Sequence, residues 1–448
     1  MRRLPTVPIP IPSRLYYGWI IVGTALIING ASAPLNPVIF SFFIGPMREE
    51  MGWSVGAVSL ALTFRLVASA ITAPLLGWMI DRFGPRALGL FSGLAAAGTL
   101  VGLYYVRELW MLYLLFALSG GVGIGAGPGG NLLTLVPVSK WFISKRGRAV
   151  SIATAGMAIG TVLAILAGQW MIQTVGWRQA WVVFGALVAI IIAPLSLLFL
   201  RDSPSDLGLR PDGLDDKALG HSSEEKHSYR IASVETDWTA KEVVRNPVTW
   251  LIIAALAIGG FASSGALVHR VAFWEQIGMS PALVAFGTVM DPLIFSFSVV
   301  IFGFVAERME TRHLGLFGGL VWSLSMLPMI LSTGQASTIF AHNIVWAMGA
   351  GAYVTANNLI WPNYFGRRFL GTIRGIVLPV QVAASGLGAP LYGVLLDAGL
   401  PPTTLWMVSA VLFAAAGLFL FLSRPPQREP SAQETLSPTS AVSRSRGL

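Results

Sequence analysis

The chain is 448 residues long, with 54% apolar and 11% charged residues and a mean hydropathy of +0.68, against roughly 25% charge in a soluble domain. A soluble globular protein is excluded, and the net charge of +9 is scattered over short loops and tails, so no nucleic-acid-binding surface is expected. Cysteine is absent, which removes disulfides, thiolate nucleophiles and cysteine metal sites. In chain order, residues 1–15 lack the apolar core of a signal peptide and read as a cytosolic lead-in.

A bilayer crossing needs about 20 mostly apolar residues. Six such segments, near 16–43, 54–80, 87–106, 109–138, 148–174 and 178–200, make an N-terminal bundle over 16–200. The stretch 201–246, with "SPSDLGLRPDGLDD" and "HSSEEKHS", is too polar to span and reads as a cytosolic linker. Six more segments, near 247–275, 280–306, 313–332, 336–362, 372–396 and 403–422, make a second bundle over 247–422; the Ser/Pro/Arg-rich 423–448 is expected to be a disordered cytosolic tail. The expected fold is therefore an all-α membrane protein with twelve transmembrane helices in two six-helix bundles. With the N-terminus inside, 25 of the 30 basic residues face the cytosol, Arg48, Arg107, Arg178 and Arg270 face outward, and Arg65 lies within a segment. This asymmetry predicts both termini in the cytosol.

The halves repeat. "GWSVGAVSLALTFRLVASAITAPLLGWMIDRFGPR" (52–86) overlays "GMSPALVAFGTVMDPLIFSFSVVIFGFVAERMETR" (278–312) without a gap at an offset of 226 residues. Gly77, Arg82 and Arg86 meet Gly303, Arg308 and Arg312, Asp81 meets Glu307, and Arg148 and Arg374 are again 226 apart. Parallel repeats of this kind are a transporter architecture.

"GWMIDRFGPR" resembles the G-x-x-x-D-R-x-G-x-R loop motif of the major facilitator superfamily, and "GFVAERMETR" resembles its second copy. "YYGWIIV", "VSKWFISKRGRA", "SPSDLGLRPDG" and "WPNYFGRRFLGTIRG" further resemble bacterial members near the monocarboxylate and oxalate/formate transporters. The resemblance implies alternating access, with Gly77, Asp81, Arg82, Arg86, Arg148, Gly303, Glu307, Arg308, Arg312 and Arg374 forming a cytosolic gate. The glycines would let helices approach, and the acids would accept from helix N-termini and from Arg148 or Arg374. The chain also departs from these relatives. Oxalate/formate-type antiporters are expected to carry basic residues inside the eighth and eleventh helices, where this chain has Asp291 and Gln381; monocarboxylate transporters carry a lysine in the first helix, where it has Asn29 and Asn36.

By the repeat, Arg65 falls on Asp291, each about 24 Å from its motif acid and so near mid-membrane. A central charge costs about 2.5–3.5 kcal/mol and needs a partner or a watery cavity. Arg65 is expected to bind an anionic substrate group, a guanidinium being a bidentate carboxylate ligand of fixed charge; the other reading pairs it with carbonyls of another helix or with Asp291. Asp291 and His269 are candidates for proton coupling, His269 being equally placed for an interface at the outer rim. Tyr353 and Asn357 are candidate substrate contacts, Asn357 alternatively bonding across helices. "GGVGIGAGPGGN" holds a literal G-x-G-x-x-G at Gly125, Gly127 and Gly130, but it follows a helix and reads as a packing surface, as do Gly156 and Gly160.

No lysine follows a glycine, so the chain has no Walker A site, and neither G-x-S-x-G nor H-E-x-x-H occurs. No metal, cofactor or enzymatic activity is expected. The reading is a monomeric transporter in the bacterial cytoplasmic membrane moving a small organic anion, driven by protons or a counter-transported solute. An exporter of neutral or amphipathic compounds is the alternative, and a non-transporting membrane sensor is the alternative of another class.

Overall fold

The computed structural model of the chain describes residues 16–122, 132–212 and 238–426. The lead-in 1–15, the run containing Gly125, Gly127 and Gly130, most of the linker and the tail from 427 lie outside the described residues. The N-terminal half consists of α1 (Tyr17–Ala31), α2 (Pro37–Met51), α3 (Val55–Phe83), α4 (Pro85–Gly102), α5 (Leu109–Gly121), α6 (Leu132–Trp141), α7 (Arg146–Thr174) and α8 (Trp177–Leu198). The short α9 (Ala240–Arg245) leads into α10 (Pro247–Gln276), α11 (Pro281–Val305), α12 (Thr311–Leu324), α13 (Leu327–Leu331), α14 (Ala336–Phe365), α15 (Leu370–Asp397) and α16 (Pro402–Leu422).

These helices make the twelve crossings of an all-α membrane fold. Among the described residues, nine helices are long and apolar enough to span a bilayer by length and composition. The first, fourth and tenth crossings are not among them. The first is broken, because Pro34 and Pro37 interrupt the helical ladder. The Asn36 side chain then caps α2 by accepting from Val38 N at 3.1 Å, so the expected single segment 16–43 is two helices joined by a turn over Ala33–Leu35 and reaches Met51. The fourth is described only as α5 and α6, and α14 carries His342, Asn343, Asn357 and Asn358 along its length.

The repeat is visible at backbone level. Gly52 and Gly278 both take positive φ, at 69° and 89°, which a side chain would strain. Two residues on, Ser54 and Ser280 each cap the following helix, accepting from Ala57 N at 3.2 Å and Leu283 N at 3.4 Å. Packing repeats as well. The pairs α1 with α7, α3 with α5 and α4 with α8 in one half match α10 with α15, α11 with α14 and α12 with α16 in the other. Gly156 and Gly160 of α7 lie directly on the backbone of Leu26 and Gly30 in α1, an approach that any Cβ would block. Between halves, α3 packs on α15 and α7 on α11.

At the end away from the loop motifs, Arg178 ties three elements together. Its Nε donates to Glu50 Oε1 at 2.9 Å and its Nη1 to the carbonyls of Tyr104 and Val106 at 2.7 and 2.8 Å, while Trp177 Nε1 donates to Glu50 Oε2 at 2.6 Å. The Arg178 bond holds the Glu50 carboxyl below its usual range. A lowered carboxylate stabilises above its unfolded pKa, and that contribution disappears as pH falls through the folded value. Glu50 is half-exposed, so screening keeps the effect below about 1 kcal/mol. From about pH 5 downward, Glu50→Gln is therefore expected to lose less stability than the parent in a series of melting temperatures against pH; superimposable profiles would remove Glu50 from the acid response.

Candidate functional site

The loop motifs meet at one end of the molecule, across the seams between the halves. On the α7–α11 seam, Arg148 grips Glu307 with both Nε (2.7 and 2.9 Å) and Nη2 (2.5 Å), a bidentate charge-assisted pair, and stacks over Phe304. Gly147 and Gly303 touch backbone to backbone beneath it. On the α3–α15 seam, Gly77 lies against the Gly371 carbonyl, and Asp81 accepts from Gly371 N (3.2 Å), Thr372 N (2.7 Å) and Thr372 Oγ1 (2.8 Å) at the start of α15. An acid at a helix N-terminus answers both the free N–H groups and the helix dipole.

The two seams are not equivalent. Lys140 stands 3.8 Å from Asp81 and 2.8 Å from Asp202, so the cation beside Asp81 is a lysine. Arg374, expected beside that acid, turns away and donates from Nη2 to Asn358 Oδ1 at 3.1 Å. Further bonds close the same end: Arg146 donates to Asn363, and Arg367 Nη1 to the Lys140 carbonyl at 2.8 Å. The remaining motif arginines serve their own half. Arg86 donates to the Leu197 carbonyl at 2.9 Å, Arg82 lies over Trp78, Arg312 pairs with Glu310 at 2.7 Å, and Arg308 is exposed.

Arg65 lies inside the N-terminal half, where the structure answers the charge with a backbone. Its Nη1 donates to the carbonyl of Leu35, in the turn that breaks the first crossing. The proline-induced break frees carbonyls from the helical ladder, and Arg65 supplies a donor to them. It lines a cavity of about 20 Å³ with Asn36, Thr99 and Ser119, room for about one water and too small for an organic anion. Among the described residues Arg65 does not meet Asp291, and of the expected alternatives the carbonyl partner is present. Tyr353 is likewise held by its own bundle, its hydroxyl donating to the Ala255 carbonyl at 2.7 Å and its ring lying against Trp322. Asn357 differs, because among the described residues its buried Oδ1 has no partner.

Asp291 belongs to a cluster that sequence reasoning did not assemble. Its Oδ2 accepts from Arg270 Nη2 at 2.6 Å, the two residues being 8% and 2% exposed. Arg270, counted in the sequence among the outward-facing basic residues, is a buried member of α10 facing α11 and α14. Its Nη1 faces Asn343 Oδ1 at 3.3 Å and His342 Nε2 at 3.5 Å, and its guanidinium lies over Trp346. His342 Nδ1 is 2.8 Å from the Ser325 carbonyl, which can only accept. The proton therefore sits on Nδ1, and the Nε2 lone pair faces Arg270. His269, next to Arg270 in sequence, points elsewhere, with Nε2 at 2.9 Å from the Ala389 carbonyl. The available signal was a mid-membrane carboxylate asking for a cation, with Arg270 as an arginine on the neighbouring crossing. Among the described residues no cluster of three His, Asp or Glu side chains forms a metal site.

Two pseudo-symmetric bundles that meet through paired loop motifs, with buried charges inside the membrane, define a secondary transporter fold. The family model of the Major Facilitator Superfamily matches residues 20–377, and the chain belongs to that superfamily. It is 24% identical over 363 residues to the oxalate:formate antiporter of Oxalobacter formigenes, covering 79% of this chain and 80% of that one. It is 25% identical over 421 residues to human (Homo sapiens) monocarboxylate transporter 11, covering 91% and 83%. Among solved structures, a proton:xylose symporter of the superfamily aligns with a TM-score of 0.67 at 14% identity, over 91% of this chain and 95% of its own. A fucose transporter described in the outward conformation aligns at 0.64 and 14%, over 93% and 100%. The chain is thus a multi-pass membrane transporter whose ligand is a small molecule.

Proposed function

We propose that the protein moves a small organic anion of the monocarboxylate class across the bacterial cytoplasmic membrane by alternating access, coupled to protons. The observation that carries this reading is the buried Arg270–Asp291 pair. A guanidinium is a ligand of fixed charge, whereas a carboxylate such as that of Asp291 can be neutralised by one proton. Protonating Asp291 leaves the guanidinium uncompensated and ready for a carboxylate, so one proton and one anion enter together. His342 and Asn343 hold the guanidinium while it changes partner, and Asn357, whose Oδ1 has no partner among the described residues, would accept from a hydroxyl of the ligand. Arg65, Tyr353 and His269 serve as positioning residues that fix helix against helix. The names of the antiporter and monocarboxylate relatives support the anion class.

In the same reading, the motif end faces the cytosol with both termini, as the basic residues suggest. The conformation described is then the one closed to the cytosol, its gate formed by Arg148–Glu307, the cap of Asp81 on α15 and the paired glycines.

A thermal-shift panel on the detergent-purified chain tests the ligand class, since a ligand that binds only the folded state stabilises it by about 2.7 kcal/mol at one hundred times its Kd. Acetate, lactate or oxalate is expected to raise the melting temperature of the wild type and of Arg65→Gln, and not that of Arg270→Gln. Stabilisation by neutral compounds alone would turn the reading to a neutral-compound exporter. Binding without counterflow in proteoliposomes would turn it to a sensor.

A further inference from the structure

Arg374 is 7% exposed, and among the described residues its one hydrogen bond runs to a neutral amide, Asn358 Oδ1. Its Nη1 is buried without a partner. The counterpart one repeat earlier, Arg148, holds a carboxylate with two nitrogens. The acid that symmetry would bring to Arg374 is Asp81, and Asp81 is already engaged by Gly371, Thr372 and Lys140. A guanidinium does not readily shed its proton to escape burial, so a buried one calls for an anion or for carbonyl acceptors; Arg65 finds the Leu35 carbonyl, whereas Nη1 of Arg374 finds no acceptor among the described residues.

The helix geometry says where that anion would stand. On α15, Gly371 and Gly375 face α3, while Ile373 and Ile376 line a groove with α9 and α10. Arg374 lies on a third side, turned to α14, in register with Leu378 and Gln381 one and two turns further on. There Asn358 already holds it. Asp291 lies sixteen residues before Glu307, about 24 Å from the motif end, whereas Arg374 is within about 6 Å of the start of α15. The two arginines thus stand at different depths.

We propose that Arg374 binds the carboxylate of the transported anion at the motif end of the pathway, as a second station beyond Arg270. This rests on the anion reading above, and the experiment is built so that the two can fail separately. Melting temperatures of the detergent-purified full chain are read against acetate, lactate and oxalate at constant ionic strength, with phosphatidylglycerol as a separate arm. Arg374→Gln is expected to weaken the apparent affinity for the stabilising carboxylate at least tenfold, and Arg374→Lys, which keeps the charge, to restore part of it. Asn358→Asp sets a carboxylate against Arg374, so it is expected to raise the melting temperature without ligand and to weaken carboxylate binding. That variant gives an answer even if Arg374→Gln does not fold. A lowered melting temperature with unchanged affinity in Arg374→Gln, or unchanged affinity in Asn358→Asp, makes Arg374 structural and overturns the proposal while leaving the anion reading intact. Failure of every carboxylate to stabilise the wild type overturns both. Stabilisation by phosphatidylglycerol alone, abolished in Arg374→Gln, assigns the site to a lipid headgroup and also overturns the proposal.

Discussion

Removing either member of the Arg270–Asp291 pair is expected to destabilise the protein by about 3–5 kcal/mol, and removing both together by much less. Arg270→Gln leaves a carboxylate among α10, α11 and α14, where the nearby polar groups are neutral: Asn343, and His342 with its proton committed to Ser325. Asp291→Asn leaves a guanidinium with Asn343, a long contact to His342 and the face of Trp346. The guanidinium left in Asp291→Asn stays charged out of water, and the carboxylate left in Arg270→Gln must either do the same or take up a proton; that burial is what destabilises. The double variant Arg270→Gln/Asp291→Asn removes both charges, so a double-mutant cycle should show strong coupling. Function should separate where stability recovers. Asp291→Asn mimics the protonated carrier and is expected to keep anion exchange while losing proton-driven accumulation; any variant lacking Arg270 should lose anion transport. Additive stability losses would mean that the two charges do not depend on each other. Proton-driven uptake persisting in Asp291→Asn would remove Asp291 from the coupling step.

The architecture was legible because it is written in long-range patterns. Apolar length gave the crossings, and the 226-residue offset gave the pairing of motif loops that the structure brings to one end. Where the first crossing departs from one continuous helix, the sequence carries the signal: "APLNP" places two prolines at the break. The buried cluster was harder to see. Its members come from α10, α11 and α14, and nothing in one-dimensional spacing says that Asp291 faces Arg270, or that His342 and Asn343 close the arrangement. A charge near a segment end, such as Arg270, is ordinarily a topology signal, and its burial depends on a partner on another helix. Arg374 shows the limit of the repeat itself. Symmetry predicts an acid beside it, but Lys140 and the first amides of α15 already occupy that acid.

Gly303→Val is expected to drive the motif end open. A Cβ at Gly303 would stand 2.5 Å from the Cβ of Ser151 and 2.8 Å from the Gly147 carbonyl, and one at Gly147 would overlap the Gly303 carbonyl. These obstacles are backbone or short side chains, which cannot swing aside. Overpacking of this kind costs about 1–3 kcal/mol, and the cost falls on the closed state alone, which corresponds to roughly a 5- to 150-fold shift in population. Gly23→Ala is the control, since a Cβ there meets nothing within 4 Å. The chain has no cysteine, so Ile80→Cys can report by itself. Ile80 is 0% exposed under Gly371, on the other seam, and should react with maleimide only when α15 leaves α3. That placement makes the experiment discriminating. If the halves move as rigid bodies, a wedge between α7 and α11 must also part α3 from α15, and Ile80→Cys should label roughly 5- to 150-fold faster in the Gly303→Val background. If the wedge is absorbed by local bending of α11, Ile80→Cys stays protected although Gly303 is filled. The glycine seam would then be packing within a fixed interface, and closure of this end would depend on the Arg148–Glu307 pair and the cap on α15 instead.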